Sequence, residues 1–562
     1  MLILVCSLVV GCRIFDDNEL RKVDMRTNFL KGTHSSRVVA IWSEMDISGR
    51  TGVFRAPPGP TRQPCCWPPE KDFHTNLLPF FLSPHHHLIQ MSPISDNWPN
   101  VQASLEFMEP EYAMRITTMV AQLTPHRKRI ESYASSLHPQ RHPCRLMEHY
   151  IWGQSFLVYE LLFEDNDESW IIRFGMRPMD AYFNTTEQLE RKILNEAAAL
   201  SLVRERTTIP VPTIIAYHPR PSPLNPLGPD FPAFVLMTAM TGMTIEDCGI
   251  AIHELGAGNS ITTVDADSDP LQGDETKLPI LQQYLHDIAD IHVQLSRITF
   301  DKIGSFFIND QGEVSVGPGA DFGLGPFLSA KEYFAVQAEA YERLAMAAGL
   351  DEDAEAGESA ERAQLKRRFV ASLWRRAMMP LVDERDDRGP FPMRHGDLHS
   401  DNILVDETGH IVGVLDWDCA GTVPWEAFAV PTFEVSGHFT EADTLSISSI
   451  SSEESSTPSS TRPIVHHAFN KELVDVESQD GVNIVTPASG RSLADLHDSD
   501  AGHVGAYLAY WMYSLACDYE QTGRALHRIV GTDDDIDDAF QKFVKEIGTT
   551  DTTLDESPAI VV

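Results

Sequence analysis

Residues 393–418 read MRHGDLHSDNILVDETGHIVGVLDWD, one stretch with six acidic side chains, three histidines and an asparagine beside an apolar run. Asp397 and Asn402 stand five residues apart, and Asp416 follows a segment that reads as two short strands around a DETG turn. Closing that hairpin sets Asn402 at one mouth and Asp416 at the other, so that an amide oxygen and a carboxylate face one space. Magnesium takes hard oxygen ligands and keeps waters beside phosphate oxygens, which makes this pair an adequate donor set for it. Asp397 is then placed to orient a hydroxyl and accept its proton as the oxygen attacks a phosphoryl group. His395, His399 and His410 do not form a zinc set, because no third ligand has the required spacing. Asp401 reads as a solvent-facing residue, Asp406 as a turn acceptor and Cys419 as a packing residue beside the loop.

Such a loop needs a scaffold, and the chain upstream supplies one. SFLVYELLFEDNDESWIIRFGM reads as two strands around an acidic turn, since branched and aromatic residues flank EDNDE. Asn184, with Glu187 three residues on, caps a helix whose Leu189, Ile193, Leu194, Ala197 and Leu200 share one face. IPVP ends that helix, and TIIAY and AFVLMTAM read as further strands, giving a small sheet with one helix from 148 to about 240. A helix follows through Leu281, Leu285, Ile288, His292 and Leu295, and two more are expected at about 329–349 and 360–379. FDKIGSFF, ahead of these two, reads as a structural connection.

Taken together, HGDLHSDNILVD followed by GVLDWD resembles the aminoglycoside phosphotransferase-like enzyme family, a branch of the protein-kinase-like fold, and the resemblance spans residues 148–433. It implies an α+β, two-lobed protein-kinase-like fold, with a small antiparallel-sheet lobe, a larger mainly helical lobe and disordered insertions. By resemblance, Asp397 is the catalytic base, His395 orients its loop, Arg394 supports the loop or meets phosphate, and Asn402 and Asp416 are the magnesium ligands. Asp418 stands where the family often has Glu. Arg173 of WIIRFG takes the place of the basic residue that meets ATP phosphates, and Glu196 pairs with it. Arg173 departs from the commoner lysine, and a simple lobe-stabilising salt bridge is the other reading of the pair. Gly153 and Ser155 of GQSFLVY occupy the place of the phosphate-covering loop, without the full glycine series. Met237 to Ala239 fall where backbone groups approach adenine. A DFG at 321–323 precedes the catalytic loop, on the wrong side for the metal-binding acid.

The implied activity is transfer of the γ-phosphoryl group of ATP, with Mg2+, to a hydroxyl of a small molecule. The rival is a weak or inactive kinase-like protein that binds nucleotide and regulates. Lys plus Arg number 44 against 82 Asp plus Glu, a formal charge of -38 that opposes binding to nucleic acid or an anionic membrane. Eight cysteines form neither a metal cadence nor a disulfide framework, which fits a reducing, cytoplasmic compartment. The apolar start MLILVCSLVVGC lacks a basic flank and is too short to span a bilayer, and no other segment is a membrane span. Nothing in the sequence names a protein partner.

The expected organisation is a largely irregular extension over 1–140, containing His85–His87 and the pair Cys65 and Cys66, then a small ATP-binding lobe over 141–240. A larger catalytic lobe covers 241–433, interrupted by a polar loop at 254–277. A Ser-rich polar insertion covers 434–500, C-terminal helices over 501–546 complete the larger lobe, and 547–562 is a tail.

Overall fold

The structure is a computed structural model. It describes residues 94–98, 105, 110–153, 155–164, 168–176, 185–250, 252, 277–320, 323–347, 359–432, 435, 464–479, 486, 488–499, 523–531 and 535–550. The apolar start, the paired cysteines, the histidine run, Asn184, the polar loop at 254–277 apart from Lys277, the serine tract and residues 504–519 of the expected C-terminal helices lie outside the described residues.

A five-stranded antiparallel sheet forms the small lobe, in the order β1-β2-β3-β5-β4. Its strands are β1 (Cys144–Trp152), β2 (Phe156–Phe163), β3 (Ser169–Gly175), β4 (Ile214–His218) and β5 (Phe234–Thr238). Side chains alternate across a strand, and β3 shows what that does: Trp170, Ile172 and Phe174 point to one face while Ile171 and Arg173 point to the other. The first face packs under two helices, α1 (Pro110–Leu123) and α2 (Arg127–Leu137), through Ile116, Met119, Leu123, Ile130 and Ala134. The second face packs on Leu189 and Ile193 of α3 (Thr186–Arg206) and on Leu404 and Leu415 of the larger lobe.

Helices α1 and α2 correct the expected irregular extension, since ordered structure already begins well before residue 140. Their buried residues recur at helical spacing, but prolines and polar residues nearby masked the period. The cap of α3 also differs from expectation: Thr185, not Asn184, accepts from Gln188 N, and Gln188 returns the bond to Thr185 N. Both pairs have the same spacing, and the Thr–Gln pair forms the reciprocal box.

In the larger lobe, α4 (Leu278–Ser296) buries Leu281, Tyr284, Leu285, Ile288 and His292. Helices α5 (Ala330–Ala347) and α6 (Ala360–Met378) occupy the expected positions. The segment FDKIGSFF lies in strand structure, as part of a second five-stranded sheet ordered β6-β9-β12-β7-β8, made of β6 (Thr299–Phe300), β7 (Gly304–Ile308), β8 (Val314–Gly317), β9 (Phe391–Arg394) and β12 (Gly421–Thr422). The hairpin β10 (Ile403–Val405) and β11 (Ile411–Val414) closes as the DETG turn predicts, and a one-turn helix α7 (Trp425–Phe428) follows.

The polar insertion expected over 434–500 needs correction. Within it, α8 (Ile464–Gln479) sets Val465, Phe469, Leu473 and Val476 into the same core as Tyr284 and Ile288 of α4. The helix α9 (Leu493–His497) follows, and the buried Glu477 carboxylate accepts from Leu493 N at 2.7 Å and Ala494 N at 3.3 Å. The serine tract before α8 concealed this helical period. Two last helices, α10 (Arg524–Val530) and α11 (Ile536–Thr550), add Leu526, Ile536 and Phe540 to the core around Phe369 and Leu373 of α6.

Candidate active site

Strand β9 ends at Arg394 and hands the chain to the loop that carries His395 and Asp397. The His395 side chain is buried; its Nε2–H donates to Leu415 O at 2.9 Å and its Nδ1 accepts from Asp397 N at 3.3 Å. Burial pushes this imidazole down to about 4, so it is neutral near pH 7 and acts as a fixed bracket between the loop and Asp416. Gly396 has φ +94, and a Cβ there would lie 2.1 Å from Cys419 O, so only glycine lets the two segments meet.

Asn402 completes the frame. Its Nδ2 donates to Asp397 O at 2.8 Å and contacts His399 Nε2 at 3.0 Å, while its backbone carbonyl accepts from Leu415 N at 2.8 Å. The three residues singled out for chemistry thus sit on one hydrogen-bonded frame. Asp406 makes the turn between the strands, its Oδ1 accepting from Thr408 N at 2.8 Å and His410 N at 3.1 Å. Arg394 reaches Ala427 O at 3.4 Å, beneath the loop, as a support would.

Across the cleft, Arg173 is 3% exposed, with Nη1 at 2.6 Å from Glu196 Oε1 and Nη2 at 2.7 Å from Asp416 Oδ1. Its guanidinium also lies 4.2 Å from the centre of the Phe156 ring. The Arg173–Glu196 pair is a buried salt bridge that also holds the expected metal ligand. Burial is the larger influence on Glu196 and pushes its carboxyl up to about 7, against the pull of Arg173. Asp418 is likewise pushed up to about 6 by burial, opposed by Lys192. Asp416 has φ 62 and ψ 63, a left-handed conformation that is unfavourable for a non-glycine residue and persists where its surroundings fix it.

Asn402 Oδ1 is buried and has no hydrogen-bond partner, and it belongs to the same frame as Asp416. An unpaired amide oxygen beside a carboxylate fits a hard divalent cation such as magnesium. No group of three or more His, Cys, Asp or Glu poised for a metal occurs among the described residues, so this pair stands without a protein-only cage.

The remaining expected residues are placed less directly. Gly153 N donates to Phe156 O at 2.9 Å and Ser155 O accepts from Met176 N at 2.7 Å, which closes a short loop between β1 and β2. Met237 is buried in the interlobe cluster with Ile171, Leu404 and Leu415, and Ala239 packs against it. The Ala239 N–H donates to Ser169 O at 3.0 Å.

Several residues escaped the sequence reading. Asn195, adjacent to Glu196, joins α3 to the loop after Asp416. Lys192 places Nζ 3.7 Å from Asp418 Oδ2. Tyr112 of α1 donates to Gly153 O at 3.1 Å, and Glu160 accepts from Ile94 N at 3.0 Å and Ser95 N at 2.7 Å. Its place among apolar strand neighbours is the one sequence signal Glu160 gave: a carboxylate on a buried strand must have partners.

The sheet lobe, the larger mainly helical lobe and the cleft-facing acid, amide and guanidinium define the class: a two-lobed α+β kinase-like domain. Residues 150–426 match the phosphotransferase enzyme family. No curated protein matches the chain. Among solved structures, a macrolide 2'-phosphotransferase type I is 13% identical, covering 71% of this chain and 94% of its own, with a TM-score of 0.33. A macrolide 2'-phosphotransferase from Brachybacterium faecium is 14% identical over 70% and 93%, with a TM-score of 0.31. Plasmodium vivax ethanolamine kinase is 12% identical over 71% and 82%, with a TM-score of 0.33. Likeness at this level names no substrate.

Proposed function

We propose that the chain transfers the γ-phosphoryl group of ATP to a hydroxyl of a small molecule. The observation that supports this most is the single frame linking Asp397, Asn402 and Asp416 opposite Arg173. In this reading the Asp397 carboxylate, 30% exposed, accepts the hydrogen bond of the acceptor hydroxyl, aims its oxygen at the γ-phosphorus and takes its proton as the new bond forms and the bond from the γ-phosphorus to the bridging oxygen breaks, releasing ADP. Asn402 and Asp416 hold magnesium, which would neutralise charge on the phosphate oxygens. Arg173 exchanges its contact with Asp416 for one with phosphate while Glu196 keeps the guanidinium aimed, and Ile171, Met237, Leu404 and Leu415 flank the base. Most of the rate gain then comes from alignment and fixed charge.

Small hydroxyl compounds are the acceptors in this reading, and among the described residues no helix is long and apolar enough to cross a membrane. One observation favours the rival, a nucleotide-binding protein without turnover: both Nη atoms of Arg173 are engaged by carboxylates. A panel of hydroxyl compounds, read for ADP formation and for product mass together, decides between them. A product heavier by one phosphoryl group supports transfer. ATP binding with no product from any acceptor supports the rival.

A further inference from the structure

Two adjacent polar residues of α3 are both about 1% exposed, yet only Glu196 meets Arg173. The other, Asn195, turns toward the larger lobe. Its Nδ2 donates to Asp418 O at 2.9 Å and to Ala420 O at 2.7 Å, and its Oδ1 accepts from Phe306 N at 2.6 Å. Those partners fix the orientation of the amide, since the flipped form would set an oxygen against two carbonyls and an NH2 against an N–H. One carbonyl lies within the short turn Trp417–Cys419, which begins directly after the left-handed Asp416, and the other directly follows it. Phe306 belongs to β7, which pairs with β12 at Gly421, so one side chain ties the helix to the turn and to the strands that follow and flank it.

The ion pair between α3 and this turn is looser. The Lys192–Asp418 ion pair is 3.7 Å long with the lysine partly exposed, and it holds a side chain, leaving the backbone free. Arg173 holds the Asp416 side chain through one carboxylate oxygen, whereas Asn195 binds the backbone that follows it, so Asn195 keeps its hold on the turn if Arg173 shifts toward phosphate as proposed above.

We propose that Asn195 is a positioning residue: by binding the backbone within and just after the 417–419 turn, it fixes Asp416 relative to Glu196 and keeps α3 docked through the catalytic cycle. It touches neither substrate nor cation and acts through the turn. The part that concerns magnesium rests on the phosphotransferase reading; the part that concerns the turn does not.

Asn195→Ala and the milder Asn195→Ser, which keeps one donor, test this in the full-length chain by two readouts. The first is amide hydrogen exchange without ligand. Exchange over residues 415–421 is expected to rise about tenfold in Asn195→Ala and less in Asn195→Ser, with the amides of β1–β5 within about twofold of wild type. Unchanged exchange over 415–421, or an equal rise across the sheet, overturns the proposal. The second is the magnesium concentration for half-maximal ATP turnover, expected to rise about tenfold while the KM of the acceptor stays within about twofold. An unaltered magnesium requirement, or an acceptor KM that rises in step, overturns the magnesium part. Should Asn195→Ala fail to fold, Asn195→Ser carries both readouts; should wild type show no turnover, the phosphotransferase reading fails while the exchange result still judges Asn195.

Discussion

The two faces of the small-lobe sheet come from the same strands and the same alternation, yet they are built to different ends. The outer face, under α1 and α2, is a continuous cluster that includes Tyr159, Phe163, Trp170 and Phe174. The cleft face interleaves Val158, Ile171 and Met237 with two buried charges, Glu160 and Arg173. Burying a charge is unfavourable unless it is paired and hydrogen-bonded, and here each is: Glu160 by two backbone amides, Arg173 by two carboxylates. The outer face carries its stability mainly through apolar area; the cleft face gives up some stability to hold charges that need partners from other elements.

Substitutions break or sharpen that contrast. The largest effect is expected in the cleft: Asp397→Asn should lower kcat about a thousandfold with ATP affinity nearly unchanged, read by steady-state turnover beside calorimetric binding. Next, Arg173→Met leaves Glu196 and Asp416 buried without their cation, and chemical denaturation should show a loss of about 3–5 kcal/mol together with loss of nucleotide binding. On the outer face, Phe163→Ala should show a comparable loss, about 3 kcal/mol, but kcat measured below its melting transition should stay within about twofold of wild type. If Phe163→Ala lowers kcat as Arg173→Met does, the separation of faces is wrong.

The smallest effect lies beneath the catalytic loop. His292 stacks on Phe428 at 4.2 Å, and burial pushes its imidazole down to about 3 from an ordinary 6.5. The folded state therefore binds fewer protons than the unfolded state between those values. Its contribution is present above pH 6.5 and is lost as pH falls toward 3, by about 1.4 kcal/mol per pH unit. His395 adds in the same direction, down to about 4, whereas Glu196 and Asp418, pushed up, favour the folded state at low pH. The difference between wild type and His292→Phe isolates one proton: between pH 6 and 4 wild type should lose about 1.4 kcal/mol per unit relative to the variant. Parallel stability curves would show that His292 does not titrate on unfolding.

Much of this was legible before any coordinates. Asp397, Asn402 and Asp416 were found by spacing because a hairpin has a fixed reach, and Arg173 was singled out by the resemblance of WIIRFG to a family strand. Asn195 was not legible, since it and Glu196 look like any polar pair on a helix, and only the larger lobe shows which carbonyls the amide meets. Helix α8 was hidden because a serine tract next to it dominates the local composition, although Val465, Phe469, Leu473 and Val476 keep the helical period. The N–H of Ala239 could not be followed from sequence, because its partner, Ser169, comes from another strand.

Calorimetric titration of ATP with and without magnesium, in wild type and in Asp416→Asn, bears most directly on the cleft. Asparagine keeps the shape of Asp416 and removes its charge. ATP should bind wild type about tenfold more tightly with magnesium than without, and that gain should vanish in the variant. An equal magnesium gain in both proteins would contradict the placement of the cation at Asn402 and Asp416.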